Sequence, residues 1–335
     1  MIIHTQAYAR AGLLGNPSDM YGGKTLSFLI RDFSAQVRLW ESPLLTFRLH
    51  PQHDRTEFQD LSDLVTSVRR HGYYGMQRLL LAACRRFVDY CRERGITTRN
   101  ANFTLEYDTT IPRQSGLGGS SAMIIAALRA FLKFHHIPVR RVSPRDIAQL
   151  ALSVETNELG IAAGLQDRVV QSYGGLTYMD FSQRTPKYTR LQPRSLPRFG
   201  LAYLTEEHFG TMESGRVHSQ VRYRWQQGDP EVRRTMRAIA RCAEAGRRAL
   251  RTHDISALGR LINRNFDLRR RLYGDEGLGP ANIELVELAR NLGLPAKLPG
   301  SSGAALILLQ DPEAETTLAQ TYAAKGYCYQ TIRPF

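Results

Sequence analysis

Residues 112–122 read P-R-Q-S-G-L-G-G-S-S-A, between an alternating strand pattern over 102–108 and an apolar helical pattern that runs to about Phe134. Glycines at Gly116, Gly118 and Gly119 allow left-handed backbone angles and a close approach to a ligand. Successive N–H groups at a helix start point toward an anion. Pro112, Gly116, Leu117, Gly118, Gly119, Ser120 and Ser121 therefore read as a phosphate cradle, with two hydroxyls suited to a divalent metal or a phosphate oxygen. The competing reading is a tight Gly/Ser connection into a helix. A Walker A loop is excluded, because G-x-x-x-x-G-K-[ST] needs a lysine and none occurs between Lys24 and Lys133.

Upstream of the cradle, strands are expected over residues 3–14 and 25–31, with shorter ones near 35–40 and 44–49. Met76, Leu79, Leu80, Ala83, Cys84, Phe87, Val88 and Cys91 recur at helical spacing, which predicts an amphipathic helix over 76–94. Downstream, Ser143 followed by Pro144 is a helix N-cap with proline at the first helical position, opening a helix to about residue 159. A strand follows over 176–180. The segment 185–198 carries Pro186, Pro193 and Pro197 with few apolar residues, so the lobe junction is placed there. That gives an N-terminal lobe over 1–190, holding the phosphate loop and Asp167, and a C-terminal lobe over 191–335. Helices are expected over 230–251, 255–272 and 280–292, then a buried strand over 304–309, a helix over 312–325 and a final strand near Ile332. This mixed order is an α+β pattern.

With 335 residues, 42% of them hydrophobic, the chain can bury a core large enough for two lobes. No apolar run approaches the roughly 20 residues that span a bilayer. His4, Gln6 and Arg10 interrupt the first ten residues, so a signal-peptide core is not expected and the cytoplasm is the expected location. Cys84, Cys91, Cys242 and Cys328 form no C-x-x-C pair and read as reduced, structural thiols. The net charge of +14 comes almost wholly from arginine, since the lysines are Lys24, Lys133, Lys187, Lys297 and Lys325. Arginine forks bind phosphate and carboxylate. The spread of these residues along the chain also fits solvated faces, as the triplet at 269–271 would be on a helix.

Two further runs change the weight of the cradle: A-R-A-G-L-L-G-N-P-S-D-M-Y-G-G-K over 9–24 and L-P-G-S-S-G-A-A-L-I-L-L over 298–309. With the cradle, and in the same order, they resemble the three motifs of the GHMP small-molecule kinases, which include galactokinase, homoserine kinase and mevalonate kinase. E-L-G-I-A-A-G-L-Q-D-R-V-V-Q-S-Y-G-G-L over 158–176, H-S-Q-V-R-Y-R-W over 218–225 and N-F-D-L-R-R-R-L-Y-G-D-E over 265–276 extend the resemblance over nearly the whole chain. It implies a GHMP kinase fold, with an N-terminal lobe like ribosomal protein S5 domain 2 and a ferredoxin-like C-terminal lobe. It also implies ATP and Mg²⁺, and transfer of the γ-phosphoryl of ATP to the anomeric hydroxyl of a uronic acid. The alternatives are another sugar, galactose-like, or a mevalonate-type alcohol. The expected partner is a small sugar or sugar acid, with neither nucleic acid nor membrane. The rival class is a basic nucleic-acid-binding protein, whose binding would fall steeply with salt.

Phosphoryl transfer requires positioning, charge neutralisation and a carboxylate near the attacking hydroxyl. By resemblance Asp167, in G-L-Q-D-R, matches the catalytic aspartate, and Glu155 the metal-binding glutamate, with Glu158 as rival. Ungapped matching puts the second metal ligand at Ser120, but Gly119 replaces a usual serine and leaves Ser120 and Ser121 unseparated. Arg10 matches the basic position of the first motif, where a cation would stabilise developing charge. Asp19 matches the aspartate that holds sugar hydroxyls, and Asn16 stands where galactokinase has a glutamate. That replacement removes a negative charge, as a uronic acid requires. An arginine must then pair with the substrate acid, and Arg113, Arg168, Arg222 and Arg224 are the candidates. Tyr21 and Tyr173 are candidates for stacking on a sugar or nucleotide, though such aromatics are more often core. Gly300 and Ser301, in the third motif, are expected at the substrate.

Overall fold

A computed structural model describes residues 1–54, 56–71, 75–192, 196–205, 214–310 and 314–334. Two compact units interleave along the chain. The first comprises Met1–Ala9, Phe33–Ile111 and Gly118–Tyr173; the second comprises Arg10–Asp32, Pro112–Leu117 and Gly174–Phe335. Pro112–Leu117 belong to the second unit and Gly118 onward to the first.

Strands β1 (Ile2–Leu14) and β2 (Lys24–Glu41) contribute to both units. The first unit adds β3 (Thr46–Phe47), α1 (Leu61–His71), α2 (Met76–Glu93), β4 (Phe103–Thr109), α3 (Gly119–Phe134), α4 (Pro144–Ser153) and α5 (Leu165–Tyr173). Residues 35–41 of β2 pair antiparallel with β4, and β3 pairs parallel with β4. α3 is apolar almost all round and buried along most of its length, as a central helix should be. Phe131 on α3 meets Phe87 of α2 and Phe103 of β4 with ring centroids 5.4 and 5.6 Å apart. α4 opens with the expected device: Ser143 accepts from the Asp146 N–H, and the Asp146 carboxylate accepts from the Ser143 N–H. A π-helical turn, Val154–Glu158, follows α4 directly.

The sequence suggested a break in β2 over residues 32–34, just after Arg31, yet the strand is continuous for 18 residues. The polar pair Arg31 and Asp32 has a remote partner. Asp32 accepts from the Arg333 N–H and Nε at 2.7 and 2.8 Å, and the Arg31 N–H donates to the Arg333 carbonyl.

The second unit adds β5 (Leu176–Asp180), β6 (Lys187–Leu191), β7 (Arg198–Tyr203), α6 (Ser214–Gln226), α7 (Pro230–Thr252), α8 (Ile255–Leu278), α9 (Pro280–Asn291), β8 (Ala296–Lys297), β9 (Ala304–Leu309), α10 (Ala314–Ala323) and β10 (Cys328–Ile332). β6, inside the proline-bearing segment read as a junction, pairs with β5 as a polar strand. Pro193 and the expected helix start at Pro312 lie outside the described residues. The order β10-β7-β9-β8, all antiparallel, puts the first and third of these strands in the middle. This is the ferredoxin-like arrangement. Phe266, Leu285, Val286, Ile307, Leu318 and Tyr322 form its core. α8 carries a break at Gly274, with φ of 71°. Among the described residues no helix is long and apolar enough to cross a membrane.

Candidate active site

The three motifs meet within the second unit. β1 supplies the link: its Arg10 N–H donates to the Leu117 carbonyl at 2.9 Å and its Gly12 N–H to the Pro299 carbonyl at 2.9 Å. The buried Arg10 guanidinium repeats the connection, donating through Nη1 to the carbonyls of Gly116 at 2.5 Å and Pro299 at 3.2 Å. The loops of the second and third motifs touch backbone to backbone. A Cβ on Gly116, where φ is +63°, would lie 2.5 Å from the Ser302 carbonyl oxygen, and one on Gly300 would lie 1.8 Å from the Gly116 carbonyl oxygen. Contact requires glycine at both positions, and at Gly116 the torsion requires it too. Pro112 accepts from the Ser115 hydroxyl at 2.6 Å, which closes the turn ahead of Gly116.

Two cations that sequence reasoning did not single out complete this region. Arg269, expected on a solvated face, is buried and donates to the carbonyls of Gly300 and Ser301, both at 2.5 Å. Its neighbours Arg270 and Arg271 are the surface members of the triplet, paired with Asp275 and Glu231. Lys297, immediately before the third motif, donates to the carbonyls of Gly12 and Leu298 and to Asn16 Oδ1, at 2.7, 2.8 and 2.6 Å. Burial pushes the Lys297 ammonium far below its ordinary range, and the Arg269 and Arg10 charges push the same way. Three acceptors around one nitrogen nevertheless match the three protons of the charged form.

Asn16, expected at the substrate, is buried. Oδ1 accepts from Lys297, Nδ2 donates to the Leu298 carbonyl at 3.3 Å, and its own carbonyl accepts from Asn265. Both ends of the Asn16 amide are thus engaged by the protein's own interior groups. Asp19 is half-buried on the short 3₁₀ turn Ser18–Tyr21. Tyr21 is buried, with its ring edge-on to Trp225 at 5.1 Å. Its hydroxyl is pushed up to about 12, chiefly by burial, with the Arg222 charge opposing and the Asp19 charge adding. Tyr21 is thus mainly a core residue. Of the four arginine candidates, Arg222 is exposed and its charge reaches this turn, whereas Arg224 is engaged by Asp229 and Glu231. Arg113 is half-buried in the cradle segment.

The first unit holds the remaining residues. Gly118, at φ 76°, is the N-cap of α3, and its carbonyl accepts from the Ser121 hydroxyl, the Ala122 N–H and Gln171 Nε2 at 3.0, 3.0 and 2.9 Å. These bonds separate the two serines. Ser121 is buried with its proton directed inward, while Ser120 is exposed. Gly119 is not sterically required, since a Cβ there meets only Ile111 at 3.5 Å. Asp167 lies in the first turn of α5, half-buried, with its carboxylate 3.7 Å from Arg168 Nη1. Arg168 is buried and holds acids of its own chain where a substrate carboxylate was expected: it pairs with the buried Glu155 and donates to the Gly164 carbonyl at 2.8 Å. Glu155 sits on the π-helical turn, a distortion often found at functional sites. The rival Glu158 is paired with Arg85 of α2. Tyr173 ends α5, half-buried. Gln171, also unnoticed in the sequence, ties α5 to the start of α3 and to the Tyr8 carbonyl.

The comparisons with known proteins agree with this assembly. Residues 78–175 match the family description "GHMP kinases N terminal domain" and residues 247–328 match "GHMP kinases C terminal". "Probable glucuronokinase 2" and "Glucuronokinase 1" of Arabidopsis thaliana are 44% and 43% identical to this chain over 341 residues, covering 99% of it and 91% and 92% of the relatives. The crystal structure of Lactococcus lactis galactokinase complexed with galactose superposes with a TM-score of 0.76 at 16% identity, over 99% of this chain and 93% of that one, which supports the fold. The interlocked motifs, the ferredoxin-like sheet and the full-length relatives lead to one identification: this chain belongs to the GHMP kinases.

Proposed function

We propose that this kinase is a glucuronokinase that transfers the γ-phosphoryl of ATP to the anomeric hydroxyl of glucuronate. The observation that carries the reading is full-length likeness to two glucuronokinases at 43 and 44% identity, together with the interlocked cradle. Gly116 to Ser121 receive the phosphates, using backbone N–H groups and the positive end of α3. Arg10 and Arg269 pin the carbonyls of the cradle and of the third motif, which fixes the loops before the ligand arrives. Gly300 and Ser301 serve mainly as the loop that the cradle rests on.

Asp167 takes or orients the proton of the attacking hydroxyl. Arg168 holds that carboxylate and Glu155 in fixed relation, and removing it would leave a buried carboxylate without its partner. Glu155 and Ser120 offer oxygen donors, the type that hard cations take, so the residues fit Mg²⁺, which supplies charge neutralisation on the phosphates. Asp19 holds sugar hydroxyls, Tyr173 borders the ligand, and Arg222 pairs with the sugar carboxylate. A screen of sugars and sugar acids for ADP release tests the reading: glucuronate is expected as the best acceptor, and preference for a neutral sugar or a mevalonate-type alcohol would overturn it.

A further inference from the structure

The first unit contains a cavity of about 690 Å³, lined by none of the residues assigned above to the kinase reaction. This volume lies within the roughly 300–1,000 Å³ of small-molecule sites. Its walls come from the start of β1, from β2, from the C-terminal half of α3 and from the stretch leading into α4. Arg129 is ten residues along α3 from Gly119, about 15 Å at the helical rise, so the cavity is separate from the cradle. Val37, Leu132, Ile137, Val142 and Ile147 make it apolar. His4, Arg38, Arg129 and Lys133 also line it, and no aspartate or glutamate does.

Three observations say what would fill it. Arg38 pairs with Glu106, but among the described residues Arg129 and Lys133 donate only to backbone carbonyls, those of Gln6, Gln171 and His4. Carbonyls satisfy N–H groups without cancelling charge, so positive potential remains at an apolar wall. Ser172 lines the cavity, and its shielded hydroxyl has no hydrogen-bond partner among the described residues. A buried polar group in that condition gains from a ligand that supplies the missing bond. Finally, Arg129 donates to the backbone carbonyl of Gln171, whose side chain holds the Gly118 carbonyl at the start of α3.

We propose that this cavity is a second ligand site, for a small organic anion with an apolar body, coupled to the phosphate cradle through Gln171. Occupancy adjusts Arg129 and Ser172, and Gln171 lies between them and Gly118.

The full chain is titrated with 8-anilinonaphthalene-1-sulfonate by fluorescence, with N-phenyl-1-naphthylamine, the same skeleton without the sulfonate, as the neutral arm. Each titration is repeated with a non-hydrolysable ATP analogue. Expected are saturable one-to-one binding of the sulfonate, at least about 10-fold weaker binding of the neutral probe, and similar weakening by Leu132→Trp, which fills the cavity, and by Lys133→Glu. The nucleotide analogue should shift probe affinity by at least about 5-fold, the lower range for coupled sites, and this shift should vanish in Gln171→Ala. Lys133 is exposed, so its variant keeps the test available if Leu132→Trp fails to fold. Probe binding indifferent to these wall variants would overturn the site, equal affinity for the neutral probe would overturn the anion, and a shift that survives Gln171→Ala would overturn the coupling.

Discussion

Gly300→Ala is the smallest change that should disable the nucleotide loops. A methyl group there would sit 1.8 Å from the Gly116 carbonyl oxygen, 2.6 Å from its carbon and 2.8 Å from Gly116 Cα. All three atoms are backbone, so no side chain can swing aside. Ordinary contacts lie near 3.5 Å, and relief requires the loops to part by roughly 1.5 Å. That movement strains the Arg269 bond to the Gly300 carbonyl and the Arg10 bond to Gly116 together. Overpacking of this kind costs about 1–3 kcal/mol, which a protein with about 5–15 kcal/mol of stability survives. A misplacement of about 1 Å costs about 10²-fold in rate. The expected outcome is a kcat/KM for ATP at least 100-fold below that of the parent, by coupled ADP release, with a cooperative melt preserved in circular dichroism. Gly119→Ser is the control. Its nearest neighbour is Ile111 at 3.5 Å, and activity should stay within about 3-fold. If Gly300→Ala also stays within about 3-fold, the packing of the second and third motifs does not set the phosphate site.

Asp167→Asn should leave nucleotide affinity within a few-fold while turnover falls about 10²-fold or more; unchanged turnover would reduce the carboxylate to a structural partner of Arg168. Arg222→Met should lower kcat/KM for glucuronate by at least about 10-fold and leave neutral sugars nearly unaffected, because a charged hydrogen bond of about 1.5–3 kcal/mol is lost only with the acid. Equal losses on both substrates would remove Arg222 from the pocket. Lys297→Met tests the buried ammonium. Its folded pKa lies far below the ordinary 10.5, so the unfolded chain binds more protons between the two values, and wild-type stability climbs with pH across that window. Urea midpoints should therefore move in favour of the wild type over Lys297→Met as pH is raised toward the ordinary lysine value of 10.5. A flat or opposite trend would show that Lys297 titrates normally.

Much of the fold could be read locally where the chain punctuates itself. β9 is an unbroken apolar run and lies where it was expected, and α3, which starts after a left-handed glycine, ends at the expected Phe134. The continuity of β2 through Arg31 and Asp32 was hidden because their partner is Arg333, some three hundred residues away. β6 looked like a linker because its exposed face is polar. At the site, the three motifs were legible from glycine spacing, but their mutual contact was not, since sequence spacing says nothing about which loops touch. Arg269 and Lys297 were missed for a related reason. Nothing local distinguishes a buried arginine that binds carbonyls from the solvated Arg270 and Arg271 beside it. Arg168 shows the converse: its place next to Asp167 suggested a substrate contact, and burial gave it to Glu155.

The most direct test is the ratio of kcat/KM for glucuronate to that for glucose, measured by ADP release with Mg²⁺ present and with the product's phosphate located on the anomeric carbon by ³¹P NMR. The account predicts a ratio of at least about 10², since an anion-binding arginine left without its anion costs on the order of 2–3 kcal/mol, and a single 1-phosphate product. Equal rates on glucuronate and glucose, or activity confined to a neutral sugar such as galactose, would contradict the uronate assignment.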